Sequence, residues 1–113
     1  MIRQFEPSFN EDDAQAVADT IRSGYINEHK FTKEFERKFA EFTGVKYAVA
    51  TTSGTASLFL ALRALGIGYG DKVIVPDYTA IGTANAVRLA GATPILIEID
   101  EYNGNIDTSQ IEI

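Results

Sequence analysis

Cysteine is absent from this chain of 113 residues, which removes disulfide scaffolds, thiolate metal sites and cysteine nucleophiles from consideration. Histidine occurs once, at His29, so a multi-histidine metal site is excluded, as is any Ser-His-Asp triad not built on that residue. Basic residues are missing from the carboxyl-terminal stretch. Residues 89–113 carry five acids (Glu98, Asp100, Glu101, Asp107, Glu112) and no lysine or arginine, while residues 1–88 hold all ten bases and eleven acids. The net charge of −6 and a pI near 4.6 argue against a nucleic-acid partner, which needs a basic face. No apolar run approaches a membrane span, and Met1-Ile2-Arg3-Gln4-Phe5 has no signal-peptide core. A soluble, cytoplasmic protein is expected. The base-free end reads either as a solvated acidic tail or as a cut through a larger fold.

What the chain does have is 45% hydrophobic residues, enough for a core that buries roughly two-thirds of the unfolded surface. Ser8 or Asn10 followed by Glu11-Asp12-Asp13 predicts a helix start, with acids facing the positive end of the dipole. Ala14, Val17, Ala18 and Ile21 fall on one face, and Gly24 follows the last turn. Tyr25 to Lys30 reads as a loop. A second helix from about Thr32 to Gly44 stripes Phe31, Phe35, Phe39 and Phe42 along one side, a packing face. From there the rhythm changes. Strands are expected at Tyr47–Thr51, Val73–Pro76 and Thr93–Ile99, with helices near 54–65 and 79–90 between them. That alternation predicts an α/β fold, a mostly parallel sheet with flanking helices joined by right-handed crossovers. Asp107 or Ser109 then resembles the cap of a further helix. Three such strands leave two open edges, so the pattern favours truncation of a larger fold.

The strongest candidate site is Thr51-Thr52-Ser53-Gly54-Thr55-Ala56-Ser57, at a strand-to-helix junction. Ligands of open α/β sheets bind at the carboxyl ends of strands, and a helix start offers unpaired N–H groups to an anion. Gly54 permits close approach of backbone, and Ser53, Thr55 and Ser57 add hydroxyls. Spacing alone leaves open whether this is a phosphate site or only a capped helix. No P-loop exists here, and Gly66-x-Gly68-x-Gly70 follows a helix and precedes a strand, the reverse of a dinucleotide turn. Pro76-Asp77-Tyr78-Thr79-Ala80-Ile81 should occupy the same rim. There Tyr78 either meets a ligand ring or packs in a turn capped by Asp77.

The stretches Gly44-Val45-Lys46-Tyr47-Ala48-Val49-Ala50, Ser53-Gly54-Thr55-Ala56-Ser57-Leu58, Ala61 to Gly68, Gly70-Asp71-Lys72-Val73-Ile74-Val75-Pro76 and Gly91-Ala92-Thr93-Pro94 resemble the DegT/StrS family of sugar aminotransferases. The likeness runs from Phe5 to Ile106, with several motifs in the family's order and spacing. It implies an incomplete fold type I aminotransferase large domain, with residues 1–43 as a helical amino-terminal segment and 44–113 opening the cofactor-binding domain. It implies pyridoxal phosphate as cofactor, a keto-sugar nucleotide as substrate, glutamate as the usual donor and a homodimer with active sites at the subunit boundary. Carried over by position, Ser53, Gly54, Thr55 and Ala56 match the stretch that holds the cofactor phosphate. Tyr78-Thr79-Ala80 matches the stretch that lies on the pyridine. The usual bulky second position is Ala80 here, so stacking from it is lost, and Tyr78 is the aromatic that remains. Tyr25-Ile26 matches a segment near the substrate entrance.

No catalytic residue and no metal ligand is assigned by this likeness. The family's Schiff-base lysine, its pyridine-pairing aspartate and a later phosphate-binding serine match nothing within residues 1–113. Lys46 and Lys72 match structural positions before strands. His29 matches no functional position and is expected at the surface. The resemblance therefore implies a part of a sugar aminotransferase that is inactive alone. The alternative is a non-catalytic truncated member that oligomerises or binds a phosphorylated ligand.

Overall fold

The computed structural model describes residues 6–27 and 30–111, so the surface placement expected for His29 lies outside the described residues. The chain divides into two compact units, residues 1–50 and 51–113.

In the first unit, α1 (Glu11–Arg22) opens on a capping box. The Asn10 side chain accepts the Asp13 N–H at 3.0 Å, and the Asp13 carboxylate accepts the Asn10 N–H at 3.0 Å. Asn10, rather than Ser8, is therefore the cap. Gly24 follows at φ 75°, a left-handed conformation that glycine adopts without a steric penalty. The second helix, α2 (Lys30–Thr43), carries the phenylalanine stripe, with the Phe35 and Phe39 rings 5.8 Å apart. Its polar side pairs Arg37 with Glu41 at 2.6 Å and Lys38 with Glu34 at 2.9 Å.

The first expected strand, Tyr47–Thr51, does not form. Glu36 of α2 takes the Ala50 N–H at 2.8 Å, which removes a donor that a sheet ladder needs. Tyr47 and Val49 stand 74% and 77% exposed. An apolar run becomes a strand only beside another, and no described residue supplies one here.

The second unit is built on a βαβ turn of chain. After α3 (Gly54–Ala64), β1 (Lys72–Pro76) runs parallel to β2 (Thr93–Ile97), with α4 (Gly82–Leu89) between them. The register pairs Lys72 with Thr93 and Pro76 with Ile97. The Asp77 N–H extends the ladder to Ile97 O at 2.9 Å. The expected parallel pairing is present, in a sheet of two described strands. Val75, Val87 and Ala92 form the buried core, with Leu62, Ile67, Val73 and Ala84 packed against it. β2 stops at Ile97, short of the expected Ile99. That residue instead pairs antiparallel with Ile106, across a turn in which Asp100 accepts from the Tyr102 N–H and the Asn103 amide. Asp107 caps a short 3-10 turn, Thr108–Gln110.

Among the described residues no helix is long and apolar enough to cross a membrane.

Candidate functional site

Two helix starts meet at one end of the second unit. The helix α3 begins where Ser53, in extended backbone, turns its side chain to accept the Ala56 N–H at 3.2 Å. The Ser53 carbonyl accepts the Ser57 N–H at 3.0 Å, closing the first turn. Among the described residues the N–H groups of Gly54 and Thr55 have no acceptor. Helix geometry leaves leading N–H groups orphaned, and here the cap satisfies only part of them. Behind this turn, Thr51 Oγ1 donates to Ser53 O at 3.0 Å and lies 2.5 Å from Ser57 Oγ. Those two hydroxyls brace the bend in the chain that precedes the helix.

The neighbouring start belongs to α4. Three bend residues, 77–79, lead from the end of β1, and the helix proper opens at Gly82 rather than at the expected Thr79. Thr79 does not cap it; its hydroxyl lies 3.1 Å from Thr83 Oγ1. Nor does Asp77, whose backbone serves the β ladder. The cap position falls to Ile81, which has no side-chain acceptor. Gly82 sits against Thr55 so closely that a Cβ added to the glycine would fall on Thr55 Oγ1. At the far end of the same two helices, Arg63 of α3 donates to Ala90 O, just after α4, at 3.4 Å. The helices therefore run side by side in the same sense, with their positive ends together at the carboxyl end of β1. Two aligned dipoles and unpaired N–H groups give this rim a preference for an anion.

The residues singled out from sequence are distributed as follows. Ser53, Gly54, Thr55 and Ala56 form the first turn of α3, with Thr55 and Ala56 half-buried. Tyr78 lies in the bend after β1, at the same end of the sheet, with 79% of its surface exposed. Tyr25 belongs to the first unit, where its N–H donates to Ser23 Oγ at 3.2 Å. Lys72 begins β1, and the strand carries the chain away from it for roughly 13 Å to Pro76 at about 3.3 Å per residue. Sequence reasoning missed Gly82. A glycine at the start of a helix carries no signal of its own until its neighbour across the helix pair is known. Among the described residues no cluster of His, Asp and Glu could hold a metal ion.

This arrangement has close counterparts. GDP-perosamine synthase of Caulobacter vibrioides is 49% identical over 83 residues, covering 74% of this chain and 22% of that protein. The UDP-4-amino-4-deoxy-L-arabinose–oxoglutarate aminotransferase of Shewanella sediminis is 41% identical over 106 residues, 94% of this chain and 27% of that one. Among solved structures, an aminotransferase from Psychrobacter cryohalolentis superposes with a TM-score of 0.83 at 42% identity, over 88% of this chain and 26% of that chain. Spr1654 of Streptococcus pneumoniae, in its PLP-form, gives 0.82 at 38% identity, over 89% and 26%. The chain thus spans about a quarter of the length of the relatives it matches. These structural neighbours are fold type I aminotransferases, and the enzymes of this group are pyridoxal-phosphate dependent. With the model of the DegT/DnrJ/EryC1/StrS aminotransferase family matching residues 7–113, the chain belongs to that family.

Proposed function

We propose that this chain is the amino-terminal quarter of a pyridoxal-phosphate-dependent enzyme that aminates a keto-sugar nucleotide, with residues 1–43 as its helical lead segment and 44–113 as the start of its cofactor domain. The carrying observation is the first turn of α3, where the Gly54 and Thr55 N–H groups lack acceptors at an electropositive rim. That donor set fits a phosphate dianion. The two N–H groups would hold it, with O–H donation from Thr55 and from Ser53. The Ser53 oxygen already accepts from Ala56, which leaves its proton free to donate. Each hydrogen bond to a charged group contributes about 1.5–3 kcal/mol, so this turn alone supports weak binding.

Bound there, pyridoxal phosphate supplies the electron sink for exchanging an amino group with a carbonyl. The chain's own share is to hold the phosphate and present the rim. Tyr78 is the aromatic available to the ring, and Tyr25 is assigned to the substrate entrance. The sugar-nucleotide class is supported by the names of the relatives, which carry GDP-perosamine and UDP-4-amino-4-deoxy-L-arabinose. Glutamate as donor is supported by the oxoglutarate in the Shewanella enzyme's name. Such nucleotide-linked substrates favour a cytoplasmic enzyme. Homodimerisation is supported by the family likeness, while the exposed Leu60, Leu65 and Leu96 need cover from further chain or from a partner copy.

The test is an assay of the gene product that carries this segment, with glutamate as donor and GDP- or UDP-linked keto sugars as acceptors. Glutamate-dependent formation of an amino-sugar nucleotide is expected. Exchange confined to free keto acids would overturn the reading.

A further inference from the structure

Gly82 has no chemistry of its own, yet it sits at the start of α4 directly against Thr55 of the proposed phosphate turn. The atom in its way is specific. An added Cβ would fall on Thr55 Oγ1, while Thr55 Cβ and Cγ2 lie at 3.6 and 3.9 Å, ordinary contact distances. The backbone of Gly82 is not in the left-handed region, so conformational freedom does not explain the glycine. What the missing methyl leaves room for is the Thr55 hydroxyl in its present rotamer. Among the described residues that hydroxyl makes no hydrogen bond.

We propose that Gly82 is a positioning residue for the anion site: by leaving space beside α3, it lets the Thr55 hydroxyl stay in the rotamer that serves a phosphate at the helix start. The proposal rests on the phosphate reading given above. A methyl at position 82 forces Thr55 to rotate about χ1 to another staggered well, because backbone on both sides is fixed in helices. Rotation carries Oγ1 away from its present place between the two helix starts, against Gly82. The first turn and its cap at Ser53 remain, so the N–H donors survive and only the hydroxyl is lost to the ligand. Gly82 thus acts through Thr55 and never touches the phosphate itself.

The test is a double-mutant cycle on the 113-residue chain, with inorganic phosphate as the probe. Binding is read from the amide shifts of Gly54 and Thr55, and the Thr55 rotamer from its Hα–Hβ coupling without ligand. In Gly82→Ala the coupling should change, and phosphate affinity should fall three- to tenfold, as far as it falls in Thr55→Ala. In the double variant the affinity should fall no further. Should Gly82→Ala fail to fold, the double variant, which lacks the clashing hydroxyl, should recover the fold. If it does not, the contact is not what the glycine serves and the proposal is overturned. An unchanged coupling and affinity in Gly82→Ala, or losses that add in the double variant, overturns the positioning role and leaves the phosphate reading intact. Absence of phosphate shifts in the unaltered chain overturns both.

Discussion

Arg63, in the last turn of α3, donates from one guanidinium nitrogen to the carbonyls of Ile67 and Ala90, at 3.2 and 3.4 Å. One side chain thereby serves the ends of both helices whose starts meet at the carboxyl end of β1. Gly68 lies beneath it: a Cβ there would come within 2.9 Å of the same nitrogen and 3.5 Å of Ala90 O. Cations at helix carboxyl ends are stabilising, and charge-assisted hydrogen bonds to carbonyls add to that. Arg63→Ala should cost about 1 kcal/mol in chemical denaturation. Gly68→Ala should act in the same direction and add little to Arg63→Ala. Additive losses would show that the two residues do not share one contact.

At the amino end, the capping box of α1 depends on a reciprocal pair. Asn10→Ala removes the acceptor of the Asp13 N–H and should cost about 1 kcal/mol of helix stability. Amide exchange should rise at Glu11 to Ala14 and stay unchanged in residues 51–111. A uniform change across the chain would contradict the local role.

Asp107 gives a pH-dependent signal. The Ser109 hydroxyl, then the Ser109 N–H and the Gln110 amide, hold its carboxyl below the ordinary Asp range. A depressed folded pKa means the turn is favoured above the unfolded value near 3.9, and that contribution is lost as pH falls through the lower folded value. The Ser109 amide shift should follow this titration. Ser109→Ala should move the Asp107 midpoint upward, and an unmoved midpoint would remove the hydroxyl as its main cause.

Much of this was legible from residue order. The caps at Asn10, Ser53 and Asp107, the helix-ending glycines and the strand–helix–strand rhythm of residues 72–97 depend on neighbours within a few positions, and each formed close to where the pattern puts it. Tyr47–Thr51 did not, because a strand needs a partner and the Ala50 N–H went to Glu36 instead. The start of α4 shifted to Gly82 because the chain spends residues 77–81 leaving the sheet. The capped first turn of α3 was visible in Ser53-Gly54-Thr55. Its neighbour Gly82 was not, since the contact joins residues 27 positions apart.

The five lysines of the chain lead to a negative expectation. Lys72, the one lysine in residues 51–113, lies at the strand end opposite the rim. It is exposed and stands a strand's length from the rim, so it is not placed to attack a carbonyl held there. Borohydride treatment of the chain with pyridoxal phosphate should give only scattered, sub-stoichiometric labelling. A stoichiometric adduct on a single lysine would show that this segment carries its own catalytic amine.

The most direct test of the phosphate turn is an amide titration of the 113-residue chain with pyridoxal phosphate and, in parallel, with pyridoxal. The account predicts saturable shifts at Gly54 and Thr55 with pyridoxal phosphate, at millimolar affinity, and none at those residues with pyridoxal. Equal shifts with both compounds, or none with either, would contradict it.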